Sequence, residues 1–293
     1  MAQGEHHFGG DWTEEKLDRV ENYLTAYCTV MKKQNFELLY VDAFAGSGKR
    51  LAANGDDDDE TEKKFKLEGQ ERFREGSAKR ALKLPSPFHR YVFIERDPTW
   101  AASLLSLKNE FPHLSDSIEV VNGDSNVHLQ ELCSANWNNR RAVLFLDPYG
   151  MQVDWSTMKA IAATKAIDAW ILFPLSGVNR LLVKTKGIPE AWQHRLDRFF
   201  GSSEWRDRFY EPDTQIDLFG LEKERKVADF SDIERYYVKR LRTLFPGVAR
   251  NPRRLSNTRN SPLFSLCFVC SNPSRKACET ALRIAEHILG EKR

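Results

Sequence analysis

Five short apolar runs constrain this chain more than any other feature. They span 38–41, 91–94, 118–121, 142–146 and 169–173, and a turn-forming or acidic residue follows each closely: Asp42, Glu95, Gly123-Asp124, Asp147 and Pro174. Runs this short and this apolar suit strands buried on both faces. Helical patterns separate them. Residues 77–84 form one, stopped by Pro85. Asp97-Pro98 opens another, with Trp100, Leu104, Leu107 and Phe111 on one face; Leu129, Leu132 and Cys133 mark a third, Met158 and Ile161 a fourth. A strand–helix alternation of this kind predicts a parallel sheet with right-handed crossovers.

The flanks read differently. Leu17, Val20, Leu24, Tyr27 and Met31 recur at helical spacing behind Thr13-Glu14-Glu15, whose acids suit a helix start. Beyond Pro174, amphipathic helices are expected around Trp192, Leu196 and Phe199, and around Trp205 and Phe209. Ser231-x-x-Glu234 reads as a capping box for a helix through Tyr237, Leu241 and Leu244. Segments 248–255 and 262–270 are expected to pair as an antiparallel hairpin, and a last helix carries Ala277, Ala281, Ile284 and Ile288. The expected organisation is an N-terminal helical segment (1–36), a core (37–185), a helical insertion (186–247), and a hairpin and helix that complete the core (248–293). The acidic run 56–60, followed by Lys63-Lys64-Phe65-Lys66, reads as a solvated loop.

Composition excludes several classes. Of the 293 residues, 41% are hydrophobic and 29% charged, which describes a globular protein and not a disordered one. No apolar run approaches the roughly 20 residues of a membrane span, and the polar N-terminus lacks the apolar stretch of a secretory signal, so the cytoplasm is expected. The net charge of +2 leaves nucleic acid open. Five cysteines show no disulfide framework. Cys267 and Cys270 form a C-x-x-C inside a strand-like run, where a core role is expected and no metal.

In a parallel sheet the ligand sits beyond the carboxyl ends of the strands. The first strand leads into Asp42-Ala43-Phe44-Ala45-Gly46-Ser47-Gly48. A phosphate-binding P-loop requires a glycine where Ala43 stands and a hydroxyl where Arg50 stands. A dinucleotide fingerprint fails at Leu51, and Asp42 would repel a pyrophosphate. The remaining reading is a cationic nucleoside, S-adenosylmethionine (SAM), whose ammonium and sulfonium favour an acid at this turn. Glu95, ending the second strand, is suited to ribose hydroxyls, and Asp124 to the adenine amino group. Each acid alone could simply cap a helix, but acids close behind four consecutive strands form a pattern that capping does not explain.

These residues carry a resemblance. Asp42 to Gly48 looks like motif I of class I SAM-dependent methyltransferases, especially those acting on nucleic-acid bases, and Asp147-Pro148-Tyr149-Gly150 looks like a variant of their D-P-P-Y motif. From about residue 12 onward the chain resembles the bacterial three-Cys-motif partner family (TcmP), in runs 12–17, 40–48, 145–153 and 165–174 and in Asn251-Pro252-Arg253.

The resemblance implies a Rossmann-like class I methyltransferase fold: a parallel sheet with a reversed last strand and helical embellishments. It implies SAM as cofactor, held by Asp42, Phe44, Gly46, Gly48, Glu95 and Asp124, and a three-Cys-motif partner protein. Asp147, Pro148 and Tyr149 are the expected catalytic residues. The Asp carboxylate and the carbonyl behind it accept hydrogen bonds from the target amine, while an aromatic ring stacks on a flipped base. Here Tyr149 follows Pro148 directly, one proline short of the motif. Asn179 and the run 250–259, with Arg250, Arg253 and Arg254 and no acid, are the expected nucleic-acid side. The expected reaction is N-methylation of a nucleic-acid base. The alternatives are a SAM- or partner-binding module without turnover, and a methyltransferase acting on a protein or small molecule.

Overall fold

A computed structural model describes residues 11–46, 76–183, 187–212 and 224–290. In chain order these form α1 (Asp11–Met31), β1 (Glu37–Asp42), α2 (Ser77–Leu82), β2 (Arg90–Glu95), α3 (Pro98–Leu105), α4 (Leu107–Glu110) and β3 (Ile118–Asn122). Next come α5 (Ser125–Ser134), β4 (Arg140–Leu146), α6 (Trp155–Ala163), β5 (Ile167–Phe173), α7 (Leu175–Leu181), α8 (Glu190–Phe200) and α9 (Trp205–Phe209). The chain ends with β6 (Tyr210–Pro212), β7 (Glu224–Lys226), α10 (Phe230–Leu241), β8 (Gly247–Val248), β9 (Arg253–Ser256), β10 (Pro262–Cys270) and α11 (Arg275–Gly290). Gly48 and the charged stretch 56–66 lie outside the described residues.

The main sheet has the order β3-β2-β1-β4-β5-β10-β8, with β9 also paired to β10. Strands β1 to β5 are mutually parallel, and β10 is antiparallel to β5, to β8 and to β9. This is the expected Rossmann-like α/β sheet with its late strand reversed, and β9–β10 is the expected hairpin. Strand β1 lies centrally, with Asp42 level with Phe93 on one side and Phe145 on the other.

Alternation along the strands builds two cores. Leu39, Val41, Val92, Ile94, Leu144, Leu146, Ile171 and Phe173 face α5, α6, α8 and α10. Leu38, Tyr40, Tyr91, Phe93, Val143, Phe145, Trp170 and Leu172 face α1, α2 and α11. Cys267 and Cys270 stand three residues apart in β10, so they point to opposite faces and join different cores. Burial pushes both thiols up, and neither is poised as a redox pair.

Two local expectations are corrected. The capping box of α10 is Asp229 with Asp232, two residues before the expected Ser231 and Glu234. Glu234 instead accepts hydrogen bonds from Arg254 and Ser265. The helix expected across Trp100 to Phe111 breaks at Ser106 into α3 and α4.

Candidate functional site at the carboxyl edge of the sheet

Beyond Asp42 the backbone stays tied to both neighbouring strands: Ala43 N donates to Phe145 O at 3.1 Å and Ala45 N to Ile94 O at 3.1 Å. Gly46 then takes φ +62, a conformation side-chain-bearing residues rarely adopt. Its N–H donates to Glu95 Oε2 at 2.8 Å, and Glu95 Oε1 accepts from Asp97 N at 2.9 Å. Burial raises the Glu95 pKa; the N–H groups of Asp97 and Gly46 work against that rise. The Arg96 N–H also acts on this carboxylate, so Glu95 braces the turn, and the lone pairs these N–H groups leave give it acceptor capacity toward a ligand.

Asp42 is fully buried, and its Oδ2 has no hydrogen-bond partner among the described residues. Burial pushes its pKa up to about 7, the Ser77 side chain lowers it, and the nearby Asp147 carboxylate raises it. Orphaned buried carboxylate oxygens are uncommon, and the groups beside this carboxyl are the Tyr40 hydroxyl and the Ser77 side chain. Across from it, Lys16 Nζ donates to Asp147 Oδ2. Lys16 comes from α1, is almost completely buried, and lies 5.2 Å from the Trp12 ring centroid. Asp42 and Asp147 follow β1 residues 38 and 40 and β4 residues 143 and 145 in strand parity, which directs both toward the face that α1 covers.

The first turns of α1 are fixed by Arg80 on α2 and Arg253 on β9. Arg80, on α2, holds Glu14 at 2.6 Å, Asp18 at 2.5 Å and Glu21 at 3.1 Å. Glu15 accepts from Arg19 at 2.9 Å and from Arg253 at 2.7 Å. Lys16 lies between these clamps. Sequence reasoning gave it no role, although a signal existed: with Thr13, Leu17 and Val20 it occupies the buried face of the helix, where a lysine requires a counter-charge.

The other expected residues divide. Phe44 is half-buried against the α5–α6 core. Asp124 is the N-cap of α5, accepting from Asn126 N at 2.9 Å and Val127 N at 3.3 Å, and is otherwise exposed. Pro148 is buried and Tyr149 is exposed, with Tyr149 N donating to Gln152 Oε1 at 3.1 Å. Gly150 turns the chain with φ +70. Asn179 Oδ1 accepts from Lys226 Nζ at 2.5 Å. Two arginines of the expected basic run are paired within the fold, while Arg250 is exposed and only its backbone N–H is engaged among the described residues. Arg253 pairs with Glu15; Arg254 pairs with Glu234 at 3.1 Å and reaches Ser231 Oγ at 3.0 Å; Arg250 N donates to Glu286 at 3.2 Å.

No known family model and no curated protein matches the sequence. Among solved structures, the chain is similar to a protein of the DUF519 family from Legionella pneumophila str. Philadelphia 1, at 15% identity and TM-score 0.50, covering 96% of this chain and 94% of that one. It is more distantly similar to an O-methyltransferase from Bacillus cereus in complex with SAH (14% identity, TM-score 0.37, 88% and 91% covered). A spermidine synthase bound to a transition-state analogue gives 11% identity, TM-score 0.40, and 89% and 59% covered. At such identities the first likeness concerns the fold alone, and the other two add nothing to it. No helix among the described residues is long and apolar enough to cross a membrane.

Proposed function

We propose that this chain is a SAM-dependent methyltransferase of the three-Cys-motif partner type, with a nitrogen on a nucleic-acid base as acceptor and a three-Cys-motif protein as companion. The observation that carries the reading is the buried Asp42 carboxylate with its unpartnered Oδ2. With Asp42 ionised, Asp42 and Asp147 share one ammonium, Lys16, and Glu95 stands beside the same turn, so this edge is net negative. SAM brings an ammonium, a sulfonium and one carboxylate, a net positive charge that suits it. Glu95, with its spare lone pairs, suits the ribose hydroxyls. Asp124 contributes to the adenine end only with the carboxylate capacity that helix capping leaves over.

SAM, when bound, supplies an electrophilic methyl group. The chain's own task is to bring a nitrogen lone pair into line with it, and holding reactants in register lowers a barrier by roughly 7–11 kcal/mol. Asp147 and the Pro148 carbonyl accept the amine's hydrogens, leaving the lone pair directed forward, and the exposed Tyr149 ring offers a face to the base.

The Lys16–Asp147 ion pair favours a second reading, a SAM-binding module without turnover, because it engages one oxygen of the carboxylate that the amine would use. Incubating the protein with tritium-labelled SAM and separate nucleic-acid and protein fractions, with and without the companion, tests both. Label in nuclease-sensitive material is expected. Calorimetric SAM binding without label in any fraction would move the assignment to the second reading, and no SAM binding would end both.

A further inference from the structure

Residues 148–153 lead from β4 to α6 without regular structure. Among the described residues, the hydrogen bonds that hold their backbone come from side chains. Gln152 Oε1 accepts from Tyr149 N at 3.1 Å, and Asn126 Nδ2 donates to Gln152 O at 2.8 Å. The same amide reaches past Val153: Asn126 Oδ1 accepts from Asp154 N at 2.9 Å and from Thr157 Oγ1 at 2.8 Å. Donating to residue 152 and accepting from residue 154, it pairs with this segment as a neighbouring parallel strand would. Both lone pairs of its oxygen are used, and the Asp154 N–H fixes which end of the amide is the oxygen.

Asn126 belongs to a segment that also grips the other loops of the carboxyl edge. Asn122 Nδ2 donates to Glu95 O at 2.9 Å, and Gly123 N donates to the same oxygen at 3.0 Å. Ser125 Oγ donates to Ala43 O, and Asp124 Oδ1 accepts from Asn126 N at 2.9 Å. The stretch 122–126 therefore ties together the turn after β1, the end of β2 and, through Asn126, the segment behind Asp147.

We propose that Asn126 is a positioning residue for methyl transfer: it holds the segment behind Asp147, and Tyr149 with it, in register with SAM seated on the turns after β1 and β2. This rests on the methyltransferase reading above. Asn126 acts at one remove, through Gln152 to the Tyr149 backbone. Met151 and Val153 are buried, so apolar packing sets how deep the segment lies. That packing is non-directional, and the direction of the backbone is left to the two amides. A displacement of about 1 Å, even one caused far from the chemistry, can cost 10²-fold in rate.

Single-turnover transfer from tritium-labelled SAM to the nucleic-acid or protein fraction that takes label, measured beside calorimetric SAM affinity and melting temperature, tests the role. Asn126→Ala is expected to slow transfer about 10²-fold with SAM affinity unchanged. Gln152→Ala is expected to slow it in the same sense, and Gln152→Glu, which keeps an oxygen for Tyr149 N, to hold the wild-type rate. Tyr23→Phe is the stability control. It loses a buried hydrogen bond to Asp168 at the opposite, amino end of the sheet, and is expected to lower the melting temperature without slowing transfer. Hydrogen exchange of the unliganded protein gives a readout that needs no acceptor. The Tyr149 amide, bonded to Gln152 and not to Asn126, is expected to exchange faster in Asn126→Ala and to be unmoved in Tyr23→Phe. Asn126→Ala transferring at the wild-type rate, or losing SAM affinity in proportion to rate, would overturn the role. If the wild type transfers methyl groups, that failure is the role's alone. A wild type that binds SAM without transferring, or binds none, ends the methyltransferase reading and the role with it.

Discussion

Lys16 on α1 donates a hydrogen bond to the carboxylate of Asp147 at the end of β4, so a helix that precedes the sheet holds the residue expected to hold the acceptor. Both groups are largely shielded from water. Removing one member of such a pair leaves an uncompensated charge. Lys16→Met is expected to lose about 3 kcal/mol of stability, the low end for breaking a buried pair. Combining it with Asp147→Asn is expected to recover part of that loss, because Asp147 then no longer stands as an unpaired carboxylate. A urea-denaturation double-mutant cycle measures the coupling; additive losses would mean that the pair contributes nothing.

Asp147→Asn keeps the shape of the turn while removing the charge. It is expected to lower methyl transfer by about 10²-fold or more, as loss of one preorganised polar group does elsewhere, while SAM still binds. Single-turnover transfer measured beside calorimetric SAM affinity decides it. Full transfer with only a lower melting temperature would reduce Asp147 to a structural partner of Lys16.

Asp42 makes SAM binding pH-dependent with a defined sign. Its carboxyl is raised from 3.8 to about 7 by burial, so in the unliganded fold the neutral form is favoured. The cost of ionising it is absent below the unfolded value, grows as pH rises between the two, and is complete above about 7. A cationic ligand favours the ionised form, so binding releases a proton. SAM affinity is therefore expected to rise with pH up to about 7 and then level off. Titrations in buffers of different ionisation enthalpy count the proton. In Asp42→Asn the rise should vanish, and the unliganded variant should be more stable than wild type above neutral pH. A flat profile in the wild type would remove Asp42 from the ligand's cation.

How far the sequence could be read follows from where each partner lies. Strands β1, β2, β4 and β5 were legible because burial on both faces leaves apolar runs; the edge strand β3, with Glu119 exposed, was legible from Ile118, Val120 and Val121. The acids at their ends were legible because the parallel topology brings them to one edge. Lys16 was not, because its partner is 131 residues away and neither residue's local pattern points to the other. Helix α7 was missed for a different reason. It is seven residues long with no side-chain cap, and it persists through burial of Leu175, Val178 and Leu181; helices this short are held by packing, not by propensity. The pair β6–β7 was missed because Glu211, Glu224 and Arg225 face solvent and give no apolar alternation.

Arg253 and Arg254 bring together the sequence reading and the structure. A run of arginines without acids suggested phosphate contacts, but the acids come from elsewhere in the chain. Glu15 on α1 meets Arg253, and Glu234 on α10 meets Arg254, with Ser231 beside it. The two arginines thus fasten helices from both faces of the sheet to its outer edge. Hydrogen bonds to charged groups contribute about 1.5–3 kcal/mol when shielded, while exposed ion pairs contribute less than about 1. Each arginine is about a third exposed, so replacing either by alanine is expected to cost about 1–2 kcal/mol, between those limits. Neither replacement should change the salt dependence of nucleic-acid binding, since a guanidinium already paired with a carboxylate releases no counterion from phosphate. Melting temperature and the slope of log affinity against log salt, measured on the same variants, separate the two roles. A slope reduced by about one unit per arginine, with the melting temperature unmoved, would return both residues to the nucleic-acid surface.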